Sequence, residues 1–268
     1  MSVRQPQNGD SGAWNTSADP RFVEYYENES ASAETIQRYQ AIQDVVLRVR
    51  GAGGPLSVAD IGCGAGTQCL LWAKRGHRVV GLDVNEPLIE VARQRARAAS
   101  CDVRFELGSA TQLPWESGSF DVCLVPELLE HVEDWESCLR EFARVLRPGG
   151  ILYVSTTNKL CPLQQEYELP LYSWYPGRLK RHFERLARTT RPELANFATY
   201  PAVNWFTFFQ LRRELRGLGL RAMDRFDVMD LTSKPAPVRL LVRAVRVAPP
   251  LRWLAHVTRA STIVVAVR

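Results

Sequence analysis

The sequence predicts an α/β fold built on a doubly wound, mostly parallel sheet. Two observations carry this prediction: short apolar runs alternate with longer amphipathic segments, and a glycine-rich turn directly follows the first apolar run. Strands are predicted at 57–61, 78–82, 102–107, 120–125 and 151–156, with helices at 67–75, 86–99 and 133–146. Strands and helices that alternate in this way form a parallel sheet, because each helix carries the chain back across one face.

Further segments flank this alternating core. Residues 1–21 are polar and are predicted to form a flexible tail, whereas apolar residues at steps of three and four predict a helical segment over 22–50. After the core, helices are predicted at 177–188 and 206–215 and strands at 221–229 and 262–267. We therefore expect one domain over 22–268, with an aromatic-rich cap inserted at 158–205 and a basic helical insertion at 235–259.

The composition is that of an ordinary globular protein. Apolar residues make up 46% and charged residues 24% of the 268 positions, and no apolar run approaches the ~20 residues that cross a bilayer. The polar N-terminus does not resemble a secretion signal. The six cysteines form no C-x-x-C pair, which indicates reduced thiols rather than a zinc site or a disulfide framework. We expect a cytoplasmic protein.

The charge is unevenly distributed along the chain. Residues 1–158 carry 15 Lys and Arg against 21 Asp and Glu, a net charge of −6, whereas residues 159–268 carry 19 against 8, a net charge of +11. The basic half can face an anionic substrate, a membrane surface or nucleic acid, or it can be a solvated surface rich in arginine.

The turn after the first strand predicts a nucleoside-bearing ligand. Gly62, Gly64 and Gly66 stand at alternate positions between a strand and a helix, so backbone N–H groups can approach a ligand that a Cβ atom would hold off. Asp83 lies 21 residues after Gly62, at the end of the second apolar run, where a carboxylate can accept both hydroxyls of a ribose. A nicotinamide dinucleotide would need the wider G-x-G-x-x-G spacing, which is absent here.

Four stretches in order resemble the class I S-adenosylmethionine-dependent methyltransferases, in particular the type 11 members. They read VADIGCGAGT, VVGLDVNEPLIEVAR, LPWESGSFDVCLVPELLEHV and EFARVLRPGGILYVSTTN, and they cover about 57–158. The resemblance implies a Rossmann-like methyltransferase fold of seven strands in the order 3-2-1-4-5-7-6, ending in an antiparallel hairpin. It also implies S-adenosyl-L-methionine as the cofactor.

The resemblance assigns the cofactor-binding residues. The three glycines would line the methionine and the ribose. Asp83 would hold the ribose hydroxyls and Val84 would contact the adenine ring. The full set implied is Asp60, Gly62, Cys63, Gly64, Gly66, Asp83, Val84, Ser109, Ala110 and Pro126. Many members place an acid after the third strand to accept from the adenine amino group, and Gly108-Ser109-Ala110 stands there instead, so Ser109 or the Ala110 amide would serve.

Glu127, Glu130 and His131 follow the fourth strand and are the predicted catalytic residues. On a helical turn they would share one face, where His131 can act as a general base or all three can bind a divalent cation such as Mg²⁺. The E-x-x-E-H pattern resembles the ubiquinone-biosynthesis O-methyltransferases, whose two acids and histidine hold a magnesium-like ion. The alternative is structural, with Glu130 and Glu133 favouring a helix N-terminus and His131 packing or capping.

The sequence thus predicts an enzyme that methylates, most simply at oxygen, a small-molecule or lipid-linked acceptor held under the cap aromatics. Residues 236–259 place cations beside Leu and Trp at helical spacing, which indicates peripheral contact with the inner face of a membrane as a second expectation. Those cations are Arg239, Arg243, Arg246, Arg252, His256 and Arg259. The alternatives are a non-catalytic relative that binds the cofactor and acts through a protein partner, and an RNA methyltransferase. The sequence does not favour nucleic acid, because no nucleic-acid-binding module is recognisable.

Overall fold

The computed structural model describes residues 20–51, 53–164, 166–195 and 202–268, apart from the side chains of residues 20–22 and 25. Residues 1–19 of the predicted tail lie outside this part of the chain, and a helix begins at Pro20.

Seven strands of the described chain form a single sheet. They are β1 Ser57–Ile61, β2 Arg78–Asp83, β3 Val103–Leu107, β4 Phe120–Pro126, β5 Leu146–Thr157, β6 Arg221–Asp224 and β7 Ser261–Val267. Their order is β3-β2-β1-β4-β5-β7-β6, which confirms the predicted order. β7 is antiparallel to β5 and β6, and all other neighbours are parallel. β1 to β6 therefore all end at the same edge of the sheet, the carboxyl edge, and β7 begins there.

Helices cover both faces of this sheet. They are α1 Pro20–Ser30, α2 Ala33–Arg50, α3 Thr67–Lys74, α4 Glu86–Ala98, α5 Trp135–Val145, α6 Gly177–Thr189, α7 Phe208–Gly217, α8 Ala236–Val247 and α9 Pro249–Val257. One apolar layer contains Trp72 and Phe105 and joins α2, α3 and α4 to the sheet, and the other contains Phe142 and Phe208 and joins α5 and α7 to it. Burial on both faces explains why the strands read as continuous apolar runs.

The helical segment predicted over 22–50 is in fact two helices. The Ser32 hydroxyl accepts the Thr35 amide at 3.2 Å and so caps the start of α2. The first amides of a helix have no backbone partner within that helix, and a serine side chain can accept one of them. Ser32 therefore favours the start of a new helix at this point. The continuous three- and four-residue spacing concealed this break.

The strand predicted over 221–229 is too long, and β6 ends at Asp224. The Asp224 carboxylate accepts the backbone amides of Phe226 and Asp227 at 2.8 and 2.9 Å and turns the chain out of the sheet. Aspartate commonly forms such turns with the backbone that follows it.

The described residues of the predicted cap, 158–164, 166–195 and 202–205, have a small core of their own. Tyr167 and Tyr172 stack with ring centroids 4.2 Å apart, and Trp205 packs edge-on against Tyr172. Lys180 of α6 lies 4.1 Å from the centre of the Trp205 ring. These rings hold the cap together, so they are not free to wall an acceptor.

Asp224 also anchors the insertion between β6 and β7, which consists of α8 and α9. Its carboxylate accepts Nε of Arg252 at 2.7 Å and pairs with Nε2 of His256 at 2.9 Å. His256 stacks on Phe208, and Arg246 donates to backbone carbonyls after β6. Half of the cations that the sequence pattern placed on one basic surface therefore point inward and fix the insertion to the sheet.

Removing the Asp224 charge should destabilise the fold in a pH-dependent way. Burial alone would raise the pKa of Asp224, but hydrogen bonds from His256 and Arg252 outweigh it and lower the pKa to about 2. The unfolded value is ~3.9, so the carboxylate contributes its full stability above that pH and loses the contribution as the pH falls through about 2. We expect Asp224→Asn to cost about 3 kcal/mol at neutral pH and progressively less below about pH 4, measured by urea denaturation.

Asp102, which is exposed at the start of β3, provides the control. Asp102→Asn should change the free energy of unfolding by less than about 0.5 kcal/mol across the same pH range. If Asp224→Asn matched this control, or if its cost did not diminish in acid, the anchoring role would be wrong.

Candidate functional site

The turn between β1 and α3 lies at the carboxyl edge in a left-handed conformation. Gly62, Gly64 and Gly66 have φ values of +77°, +49° and +77°, which residues with a Cβ rarely adopt. A Cβ on Gly66 would lie 2.8 Å from Cβ of Ala92 and 3.0 Å from the Phe105 ring, whereas a Cβ on Gly64 would have no atom within 4 Å. Gly66 therefore packs the turn against α4 and β3, and Gly64 borders open space.

Asp83, at the end of β2, holds this turn from the neighbouring strand. One of its carboxylate oxygens accepts the Gly64 amide and the other accepts the Asn85 amide, both at 2.8 Å. Burial raises the pKa of Asp83, while these amides lower it. An ionised carboxylate has about four acceptor positions, so about two remain for ligand hydroxyls.

Asp60, two residues before Gly62, is a buried carboxylate with an unused acceptor. Its Oδ2 accepts the Cys69 thiol at 3.2 Å, and its Oδ1 has no hydrogen-bond partner. Burial raises the pKa of Asp60 to about 7, an effect that the Cys69 thiol opposes and Asp83 increases. A buried oxygen without a partner is costly, so this position fits a ligand that supplies a donor or a positive charge.

The other residues assigned to the cofactor lie along the same edge. Val84 follows β2 and is 50% exposed, which leaves an apolar surface for a ring-shaped ligand. Ser109 and Ala110 follow β3; the Ser109 hydroxyl is bonded within its own loop, and Ala110 is buried. Cys63 is buried in the glycine turn, and Pro126 ends β4. All ten residues thus lie at the ends of β1 to β4 or in the loops that follow them.

The end of α1 is tied to the glycine turn. The Thr67 hydroxyl donates to the Ser30 carbonyl at 2.8 Å. Arg95 of α4 donates to the carbonyls of Glu27 and Ala65 at 2.7 and 3.3 Å. α1 therefore covers one side of the turn, a contact that the sequence analysis did not predict.

Glu127, directly after β4, has a left-handed backbone with φ +53°. Its two carboxylate oxygens accept Nη1 of Arg38 on α2 at 2.8 and 2.7 Å. Both side chains are nearly half exposed, so the ion pair adds little stability. A strained residue at the end of a strand is nevertheless typical of functional sites.

Glu130 is fully buried in a one-turn 3₁₀ helix, Leu129–His131. Its Oε2 accepts the Thr156 hydroxyl at 2.8 Å, and its Oε1 has no partner. Burial raises the pKa of Glu130 well above its usual value, and the carboxylates of Glu166 and Glu127 raise it further. Burial thus favours the neutral form of Glu130, which can donate as well as accept a hydrogen bond.

The cap fixes the turn that carries Glu130. The amides of Val203 and Asn204 donate to the Glu130 carbonyl at 2.8 and 3.1 Å, and the Asn204 side chain donates to the Val132 carbonyl at 2.7 Å. His131 is half-buried at the end of the same turn. Glu130 and His131 thus lie where the loop after β4 meets the cap.

Glu166 in the cap and Arg38 and Tyr39 on α2 are further members of the site that the sequence analysis missed. Burial raises the pKa of Glu166 to about 7, and the Glu127 carboxylate raises it further. Burial also raises the pKa of Tyr39, and Asp60 adds to this effect. None of the three belongs to a spaced motif, so only the folded chain brings them to the carboxyl edge.

Comparison with known proteins identifies the core of the chain. Residues 59–154 match the family model described as a methyltransferase domain. A ubiquinone biosynthesis O-methyltransferase from Mesorhizobium japonicum is 32% identical over 179 residues, which are 65% of this chain and 63% of that protein. The core of the chain is therefore similar to known methyltransferase domains. The chain spans less than two thirds of that relative's length.

Two solved structures share the fold of this methyltransferase domain. An S-adenosylmethionine-dependent methyltransferase from Mesorhizobium loti has a TM-score of 0.57 at 21% identity, covering 89% of this chain and 99% of that one. A phosphoethanolamine N-methyltransferase 2 from Haemonchus contortus, in complex with S-adenosyl-L-methionine, has a TM-score of 0.54 at 15% identity, covering 92% of this chain and 60% of that one. At these identities the likeness shows a shared fold and does not assign an activity.

The metal site predicted at Glu127, Glu130 and His131 is not supported. Among the described residues, no group of three His, Cys, Asp or Glu side chains is arranged to hold a metal ion. The prediction assumed one helical turn, but Glu127 has a positive φ and lies outside the short 3₁₀ helix that contains Glu130 and His131. Glu127 is instead bound by Arg38, and Glu130 by Thr156.

Three glycine variants test separately how backbone strain lowers stability and how an added Cβ atom blocks cofactor binding. Gly64→Ala should cost about 1–2 kcal/mol of stability, because its Cβ meets no atom and only the left-handed backbone opposes it. Gly66→Ala should cost about 1–3 kcal/mol more, because its Cβ also collides with Ala92 and Phe105. Gly118→Ala, at φ +68° with open surroundings, should match the stability loss of Gly64→Ala.

The measurements are chemical denaturation and calorimetric binding of S-adenosylmethionine. Gly64→Ala should lose most of the binding and Gly118→Ala none, although both are strained alike. Equal binding by these two variants would show that Gly64 does not border the cofactor.

Proposed function

We propose that the protein transfers the methyl group of S-adenosylmethionine to a hydroxyl of a small-molecule or lipid-linked acceptor. The observation that carries the proposal is the glycine turn, where Asp83 holds the Gly64 amide beside open space and Asp60 Oδ1 lies buried without a partner. Such a turn offers backbone donors and carboxylate acceptors to one ligand. The relative's name, an O-methyltransferase, supports transfer to oxygen.

When bound, S-adenosylmethionine supplies an electrophilic methyl group on a positively charged sulfur. Asp83 would hold the ribose hydroxyls, and half-exposed Val84 would contact the adenine ring. The Asp60 oxygen that lacks a partner would accept from the ammonium group of the methionine part. The two carboxylates also create a negative potential that suits a cationic ligand.

The acceptor side must position a hydroxyl and remove its proton as the methyl group is transferred. Glu166 has a pKa of about 7 through burial, so it changes protonation in the range where a general base works best. Glu130, kept neutral by burial, would orient the acceptor through a hydrogen bond. His131 and Glu127 border the same turn and would complete the wall of the acceptor site.

A groove beside the cap fits the apolar part of a lipid-linked acceptor. It has a volume of about 760 Å³ and lies between the cap, α7 and α9, where Trp174, Phe209 and Trp253 line it. Lys159, two residues after the end of β5, also lines it and places the groove at the carboxyl edge. Its size and aromatic lining are typical of small-molecule sites.

Cofactor binding is the first test of the proposal. Asp83→Ala should weaken S-adenosylmethionine binding by roughly 10²- to 10⁴-fold, because it removes acceptors for two ribose hydroxyls, each worth roughly 1.5–3 kcal/mol with a charged partner. Calorimetric titration of the purified protein measures this. Asp102→Ala removes an exposed acid just before β3, and this variant should bind as the parent does. If the parent did not bind the cofactor, the proposed function would be wrong.

The acid–base roles are tested by pH profiles with an acceptor found by screening phenols and alcohols for formation of S-adenosylhomocysteine. Glu166→Gln should lower kcat by about 10²–10⁴ and remove the rise in rate near neutral pH. Glu130→Gln should keep the pH profile and most of the stability, because an amide replaces a carboxyl group that is already neutral. Turnover with an unchanged pH profile in Glu166→Gln would refute its role as the base.

A further inference from the structure

The outer side of the α8–α9 insertion is an exposed apolar surface. Leu240 and Val247 are 71% and 81% exposed and lie seven residues apart on α8, so they share one face of the helix. Leu251, Trp253 and Leu254 of α9 are also exposed, at 43%, 49% and 56%. Large apolar side chains grouped in this way are unusual on a free surface and indicate an interaction site.

The charged residues of the segment that forms this surface have one sign. The chain has no Asp or Glu after Asp230, whereas residues 231–268 contain seven Lys and Arg. Arg246 and Arg252 are used internally, as described above, but Arg239, Arg243 and Arg259 are exposed. Exposed cations beside exposed apolar side chains, without any acid, are complementary to an anionic surface that is apolar beneath.

We propose that the outer face of α8 and α9 docks onto an anionic lipid bilayer. Leu240, Val247 and Leu254 would enter the interface between headgroups and acyl chains, and Arg239 and Arg243 would bind lipid phosphates. Trp253, half exposed at the border, has the amphipathic ring that prefers this depth. Among the described residues no helix is long and apolar enough to cross a bilayer.

The attachment of α8 and α9 to the sheet places the docking face near the carboxyl edge. α8 and α9 leave the sheet after β6 and return at the start of β7, so both attachments lie at the carboxyl edge. Trp253 belongs to the docking face and also lines the groove beside the cap. A bilayer on this face would therefore adjoin the groove in which a lipid-linked acceptor is proposed to lie. The docking itself does not depend on methyl transfer.

The test is co-sedimentation of the full-length protein with vesicles of phosphatidylcholine alone or mixed with phosphatidylglycerol. Binding should be stronger to the anionic vesicles and should weaken as salt is raised. Arg239→Ala/Arg243→Ala should weaken binding to them about 30-fold, at ~1 kcal/mol per arginine. Leu240→Gln/Val247→Gln should weaken binding to both kinds of vesicle with little change in stability, because both residues are exposed.

The matched control is Arg212→Ala/Arg216→Ala, which removes two exposed arginines at the same spacing on α7 and should bind as the parent does. The proposal is wrong if the parent does not sediment with anionic vesicles at low salt, or if the control loses as much binding as the α8 arginine variant. It is also wrong if light scattering shows a dimer that Leu240→Gln/Val247→Gln dissociates, or if the α8 arginines affect binding of an RNA oligonucleotide but not of vesicles. Titration of the same variants with S-adenosylmethionine, without vesicles, measures cofactor binding independently of membrane binding. A failure of the docking proposal can therefore be distinguished from a failure of the methyl-transfer proposal.

Discussion

The cofactor side of the molecule depends on the close packing of one glycine. The backbone at Gly66 lies so near to Ala92 and Phe105 that no other residue fits without movement of α4 or β3. This contact fixes where α3 begins and brings the turn beside the end of β2, where Asp83 can accept the Gly64 amide. The ligand space is therefore shaped mainly by backbone, which explains why its pattern is legible in sequence.

The proposed acceptor side depends instead on burial of carboxyl groups. The cap segment at Val203 and Asn204 binds the backbone of the turn that carries Glu130, and Glu166 belongs to the cap itself. Enclosure raises the pKa of both acids, well above its usual value for Glu130 and to about 7 for Glu166. Carboxyl groups with shifted pKa values can take the tasks of orienting an acceptor and removing its proton.

The parts of the structure that sequence could predict are those governed by local rules. Alternating apolar runs predicted a mostly parallel sheet, and the resemblance of four motifs to a known family implied the strand order that the structure shows. The alternate glycines and Asp83 were predicted to lie together, and the structure places them in contact. The helical face assumed for Glu127 to His131 was wrong, because a positive φ at Glu127 is invisible in the residue pattern. Glu166 and Arg38 were missed for a different reason. The packing of the cap and of α2 brings them to the site, and their positions in the sequence form no motif with the other site residues.

The same reasoning separates the cations of the insertion. At helical spacing all six look alike, yet the carboxylate of Asp224 and the carbonyls after β6 select Arg246, Arg252 and His256 as internal partners. Buried acceptors must be satisfied, so these three are fixed by the sheet and not by any external ligand. The selection turns one side of each helix inward and leaves Leu240, Val247 and Arg243 outside. The apolar outer face is therefore not a failure of packing, because the inner face already has its partners, and an external partner is what remains to cover it.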